Sequence, residues 1–175
     1  MAKRLISLIM ATAIVLALVS CGGSPASYEA TEESLTKLAE KCISNSKVPV
    51  SVALTDGACV VHCEAGDAPY LNEVDIVRSN LSAYIKFCLA AYETGGVTSV
   101  NWWAESAMID NKGNSSTYKV IQFDMPKESF EEYNWENLEY TKGMYSQFSA
   151  DCSVCYIHPG ILSNIDTEND LFYAP

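Results

Sequence analysis

From Thr31 onward the apolar positions first recur at helical spacing, with Leu35, Leu38, Ala39, Cys42 and Ile43 on one stripe. Thr31 is a good N-cap, and Glu32 and Glu33 fall in the first turn, where the helix dipole favours carboxylates. A helix is expected from about Thr31 to Ser46. The period then shortens to two. Val48 to Thr55 and Ala58 to Glu64 are β-rich runs around Asp56-Gly57, a dipeptide suited to a two-residue hairpin turn. That turn fixes a register in which Thr55 faces Ala58, Leu54 faces Cys59, Val52 faces Val61 and Val50 faces Cys63. One face is then Val50, Val52, Leu54, Cys59, Val61 and Cys63, a core face. Ser51, Ala53, Thr55, Ala58, Val60 and His62 lie on the other.

Helical periodicity returns after Asn72, with Val74, Val77, Leu81, Tyr84, Ile85, Cys88 and Tyr92 as the stripe and Gly95-Gly96 as its stop. A second hairpin is expected over Val97 to Ile109 and Ser116 to Met125, across the turn-rich stretch from Asp110 to Asn114. Pro126 ends the fourth strand. Residues Lys127 to Ala150 are acidic and aromatic, and predict a helical turn, a break near Asn134 and a helix from about Asn137 to Ser149. Val154 to Ile157 is a candidate fifth strand, followed by an irregular tail at Pro159-Gly160. The order α-β-β-α-β-β predicts an α+β fold: an antiparallel sheet of four to five strands, helices mainly on one face, plus a C-terminal helical segment. Residues 31–175 are expected to form one globular domain.

The start of the chain follows a different logic. Lys3 and Arg4 precede a nearly unbroken apolar run from Leu5 to Leu18, of the length used by export signals and short for a spanning helix. Leu18-Val19-Ser20-Cys21 resembles the lipobox of bacterial lipoproteins. The resemblance implies a signal peptide over 1–20, cleavage before Cys21, and lipid attached to that cysteine. It also implies an extracytoplasmic protein held to the membrane by its acyl chains, two or three of which anchor firmly. Gly22, in place of an aspartate, resembles the class sorted to the outer membrane where the source has one. Residues 21–30 then read as the lipidated cysteine and a small, polar tether, reaching roughly 30 Å for about ten extended residues.

With 22 acidic against 11 basic residues the formal charge is -11, which repels phosphate backbones and disfavours nucleic-acid partners. Partners are expected to be the membrane, through the lipid, and an envelope protein or a glycan.

Beside Cys21 the chain has Cys42, Cys59, Cys63, Cys88, Cys152 and Cys155, an even number that leaves disulfides and buried thiols both open. Cys59 and Cys63 would lie roughly 13 Å apart on an extended strand, too far for one zinc, and His62 would point the other way. The Cys152-Ser153-Val154-Cys155 spacing invites a redox reading, but the first cysteine should then open a helix, and an apolar β-like run follows instead. No metal or cofactor is expected. Nucleophile-elbow, zincin and phosphate-loop motifs are absent, which leaves Glu105, Asp110, Asp124 and Glu128 as scattered acids that pair only if the fold assembles them. Asn80-Leu81-Ser82 and Asn114-Ser115-Ser116 match glycosylation sequons, which carry little meaning in a bacterial lipoprotein. Trp102-Trp103 is the more telling pair, because neighbours on a strand face opposite ways and both rings cannot enter one core. The outward ring is then either buried under the aromatic segment 130–148 or an exposed stacking platform for sugar or peptide, in a ligand groove between that sheet face and residues 130–148 lined by Trp102 or Trp103 and by Trp135. The expected role is a non-catalytic binding or accessory module. A hydrolase acting on cell-wall material through paired carboxylates and a structural accessory are the other two readings.

Overall fold

The computed structural model describes residues 28–43, 48–65, 72–109, 112–135, 144–167 and 171. Cys21, Asp110, the expected signal segment and the first part of the helix expected from Asn137 lie outside them. Helix α1 (Glu32–Cys42) begins where Thr31 accepts from the Ser34 amide, and ends earlier than expected because Ile43 is already extended. Strands β1 (Val50–Thr55) and β2 (Ala58–Ala65) form the expected hairpin, with Thr55 opposite Ala58 and Val50 opposite Cys63. Asp56 and Gly57 both take positive φ, 50° and 84°, as a type I′ turn requires. Helix α2 (Glu73–Glu93) is capped by Asn72, which accepts from the Asp75 amide at 2.9 Å.

Strands β3 (Ser99–Ile109) and β4 (Ser115–Asp124) make the second hairpin, antiparallel but with a bulge between Ala104 and Glu105. Next come α3 (Lys127–Glu131), α4 (Met144–Asp151) and β5 (Val154–Ile157), which pairs antiparallel with β4. The tail is not irregular where Pro159-Gly160 suggested it: α5 (Pro159–Leu162) starts with proline in its first turn, and His158 Nδ1 accepts from the Gly160 amide.

The fold is α+β, and the five strands lie in the order β1-β2-β3-β4-β5. The expectation of a wholly antiparallel sheet is corrected at its centre, where β2 and β3 run parallel with Val61 opposite Trp102. The reason is α2. A hairpin turn reverses the chain, whereas a long helix between two strands carries it back along the sheet and brings the second strand in parallel.

All four longer elements of helix pack on one side. Leu35, Leu38 and Ala39 of α1, with Val77, Leu81, Tyr84, Phe87 and Cys88 of α2, are buried against Cys59, Val61, Trp102, Ala104 and Phe123 of the sheet. Phe130 of α3 and Phe148 of α4 meet Tyr84 edge-on, with ring centroids 6.3 Å away in each case. Among the described residues no helix is long and apolar enough to cross a membrane.

Candidate functional site

Strand alternation sends the two neighbouring tryptophans to opposite sides of β3. Trp102 is 0% exposed in the core, and its indole N–H donates to Asn80 Oδ1 at 3.2 Å. It is therefore structural, and the sequon at Asn80 is spent on holding it. Trp103 stands half-buried on the opposite face. The parallel register places His62 beside it, and the two rings stack with centroids 3.7 Å apart and planes 10° from parallel. From the β4 side, Lys119 Nζ lies 5.3 Å from the Trp103 ring.

Around this stack runs a row of polar side chains. Lys119 donates to Gln122 Oε1 at 2.8 Å, Gln122 donates to Asn101 Oδ1 at 3.1 Å, and Asn101 donates to Asp124 Oδ2 at 3.0 Å. On the other flank Glu64 and Glu105 are cross-strand partners, and His62 lies between them, 3.9 Å and 3.7 Å from their carboxylates. Both separations exceed hydrogen-bond length. Two carboxylates directly opposite repel, and the His62 ring stands between these two.

The groove expected between this face and residues 130–148 does not form among the described residues. Phe130 and Phe148 pack on α2, on the far side of the sheet, and Trp135 goes with them, stacked on Phe130 and on Tyr133 at 4.6 Å each. Its N–H donates to the Phe130 carbonyl at 2.9 Å. The three tryptophans thus serve three places: Trp102 the core, Trp135 the C-terminal aromatic stack, and Trp103 the sheet face opposite the helices. Of the scattered acids, Glu105 faces His62 and Asp124 accepts from Asn101, while Asp110 lies outside the described residues.

The six described cysteines are free thiols of two kinds. Cys59 and Cys63 on the inner sheet face and Cys88 on α2 are buried, and burial pushes Cys59 and Cys63 up to about 12 and Cys88 well above the ordinary range. Cys42 is half-buried and pushed up to about 11 for the same reason. They behave as small hydrophobic side chains. Among the described residues no cluster of three or more His, Cys, Asp or Glu is placed to hold a metal ion.

Cys152 and Cys155 are different: their spacing in the sequence invites redox chemistry, a reading that sequence reasoning sets aside because no helix opens at Cys152. Cys152 directly follows the C-terminus of α4, while Cys155 lies in β5 opposite Phe123, on the helix-covered face. Tyr145, Ser149 and Cys152 recur four and three residues apart, one helical stripe turned toward that strand. Cys155 has Cys152, Ser149 and Tyr145 as side-chain hydrogen-bond partners, the Tyr145 hydroxyl at 3.6 Å from its sulfur, where either group can donate. These hydrogen bonds, that with Cys152 first, hold the Cys155 thiol below the ordinary range. Cys152 moves the other way, because it serves as donor and because Asp124 and Asp151 oppose negative charge on it. The spacing of Tyr145, Ser149 and Cys152 was a readable signal. That β5 would lie under this stripe was not. No family model, curated protein or solved structure matches the chain, and the chemistry of both places stands on their own geometry.

Proposed function

We propose that this chain is an exported lipoprotein, anchored through Cys21, whose uncovered sheet face binds a wall-associated glycan without transforming it. The address rests on the charged, apolar and small-residue order of the first twenty-one residues. The observation that carries the binding role is Trp103, a half-buried indole bordered by the Asn101, Gln122 and Asp124 row and by Glu105. Saccharides offer apolar C–H faces to an aromatic ring and hydroxyls to amides and carboxylates, and this surface supplies both. One face of the ring is held by His62. A sugar would take the other by displacing the Lys119 ammonium, a contact worth only about 0.5–1 kcal/mol at an exposed site.

Titrating soluble wall oligosaccharides while following tryptophan fluorescence tests the reading. Binding to the wild type that vanishes in Trp103→Ala and survives in Trp135→Ala supports it. Binding unaffected by Trp103→Ala, or none at all, removes it. The anchor is tested separately, by intact mass and detergent partitioning of the protein made in a bacterial host beside Cys21→Ala. Loss of residues 1–20 with a diacylglycerol gained by the wild type alone supports it, and a lipid-free soluble product overturns it.

A hydrolase reading draws on the juxtaposition of Glu64 and Glu105, since a paired carboxylate site is one arrangement for glycosidic cleavage. Release of reducing ends from the same oligosaccharides, abolished in Glu105→Gln, would favour it over simple binding.

A further inference from the structure

We infer that Cys152 and Cys155 form a redox-active dithiol that exchanges with disulfides, Cys155 attacking and Cys152 resolving. The inference is independent of the glycan reading, because the pair lies at the junction of α4 and β5 on the helix-covered side, away from Trp103.

Three features set this pair apart from the other four described cysteines. Both side chains are part-exposed and hydrogen-bonded to each other, which places the sulfurs within reach of a shared bond. Cys155 has hydroxyl and thiol groups converging on it, the Tyr145 hydroxyl at 3.6 Å together with Ser149 and Cys152, and when such groups donate they stabilise a thiolate, the form that attacks. Cys152 adjoins the carbonyl end of α4 and Asp151, whose negative ends favour its neutral form and keep it a proton donor. The usual arrangement for activating a first cysteine at a helix N-terminus is reversed here: the helix ends at the pair, and side chains rather than the dipole activate the second sulfur.

The exchange balances as follows. The Cys155 thiolate attacks one sulfur of a disulfide R–S–S–R′, forming a Cys155–S–S–R mixed disulfide and releasing R′–S⁻, which takes the proton of Cys152. The Cys152 sulfur then attacks Cys155, closing the Cys152–Cys155 disulfide and expelling R–S⁻. The pair loses two electrons and the partner disulfide gains them. Tyr145 and Ser149 are positioning residues, since they act through hydrogen bonds with the attacking sulfur.

Oxidised glutathione serves as the probe disulfide. The reduced full-length chain is mixed with it at neutral pH, quenched in acid, alkylated and mapped by peptide mass. The wild type is expected to close a Cys152–Cys155 bond before any other cysteine reacts. Cys152→Ser should accumulate glutathione on Cys155, and Cys155→Ser should take it up on Cys152 at least about tenfold more slowly. Sub-stoichiometric iodoacetamide on the native wild type provides a readout without substitution: Cys155 should label first among the six. Equal uptake by the two serine variants, or labelling and oxidation that begin at Cys42 or the core thiols, would overturn the assignment.

Discussion

The indole N–H of Trp102 is satisfied inside the core by Asn80, whose own amide donates to the Ile76 carbonyl at 2.8 Å. Asn80 is 2% exposed, so the pair is a polar bridge from α2 to the centre of the sheet. Replacing it by leucine keeps apolar volume but strands a buried donor, a loss of about 1–3 kcal/mol. Urea unfolding of Asn80→Leu should show a lowered midpoint with an unchanged m-value, and an unchanged midpoint would mean that the indole finds another acceptor.

If the inner-face thiols act as hydrophobic groups, Cys63 separates size from polarity. It is 0% exposed and lies opposite Ala104 on β3. Cys63→Ser places a hydroxyl among apolar neighbours and should cost about 1–3 kcal/mol more than its lost packing alone. Cys63→Val should be milder. Thermal unfolding of both variants checks the order.

Asp151 accepts from the Tyr133 hydroxyl at 2.6 Å and from Gln147, and these bonds, Tyr133 first, hold its carboxyl below the usual range. A depressed folded value means stability gained above the unfolded aspartate's pKa and lost as pH falls through the folded one. Tyr133→Phe should therefore raise the Asp151 titration in a carboxyl NMR experiment. Its stability deficit should be fullest above the carboxylate range and fade in acid.

Lys119 is the hinge of the glycan proposal. Truncating it in Lys119→Ala uncovers the second face of Trp103 and removes a partner of Gln122. Oligosaccharide affinity should be kept or tightened, by up to about fivefold if the displaced contact is worth its usual 1 kcal/mol. A loss of binding would assign the lysine a direct role on the sugar instead.

The first hairpin was legible residue by residue because a two-residue turn leaves no freedom in register, and the opposite facing of Trp102 and Trp103 was legible because pleating leaves none in side-chain direction. The parallel joint between β2 and β3 was not. Alternation reports which face a residue takes, never which strand lies beside it, and Glu64 met Glu105, and His62 met Trp103, only through that neighbour relation. The β-helix-β run from Ala58 to Ile109 did carry a signal for a parallel pair. Placing the aromatic segment failed for a related reason: Phe130 and Phe148 are apolar enough for either face, and what drew them to α2 was the space beside Tyr84.

The parallel joint also bears on how the molecule reaches its native state. Each hairpin closes over a short loop and forms from residues near one another in sequence. The joint must wait, because Ala58 and Ser99 meet only after all of α2 has been looped back between them. Contacts of that separation carry the larger closure entropy and slow a folding reaction. A chain in which they had not yet formed would hold two half-sheets, and the open edges of β2 and β3 would be the surfaces on which two such copies mispair.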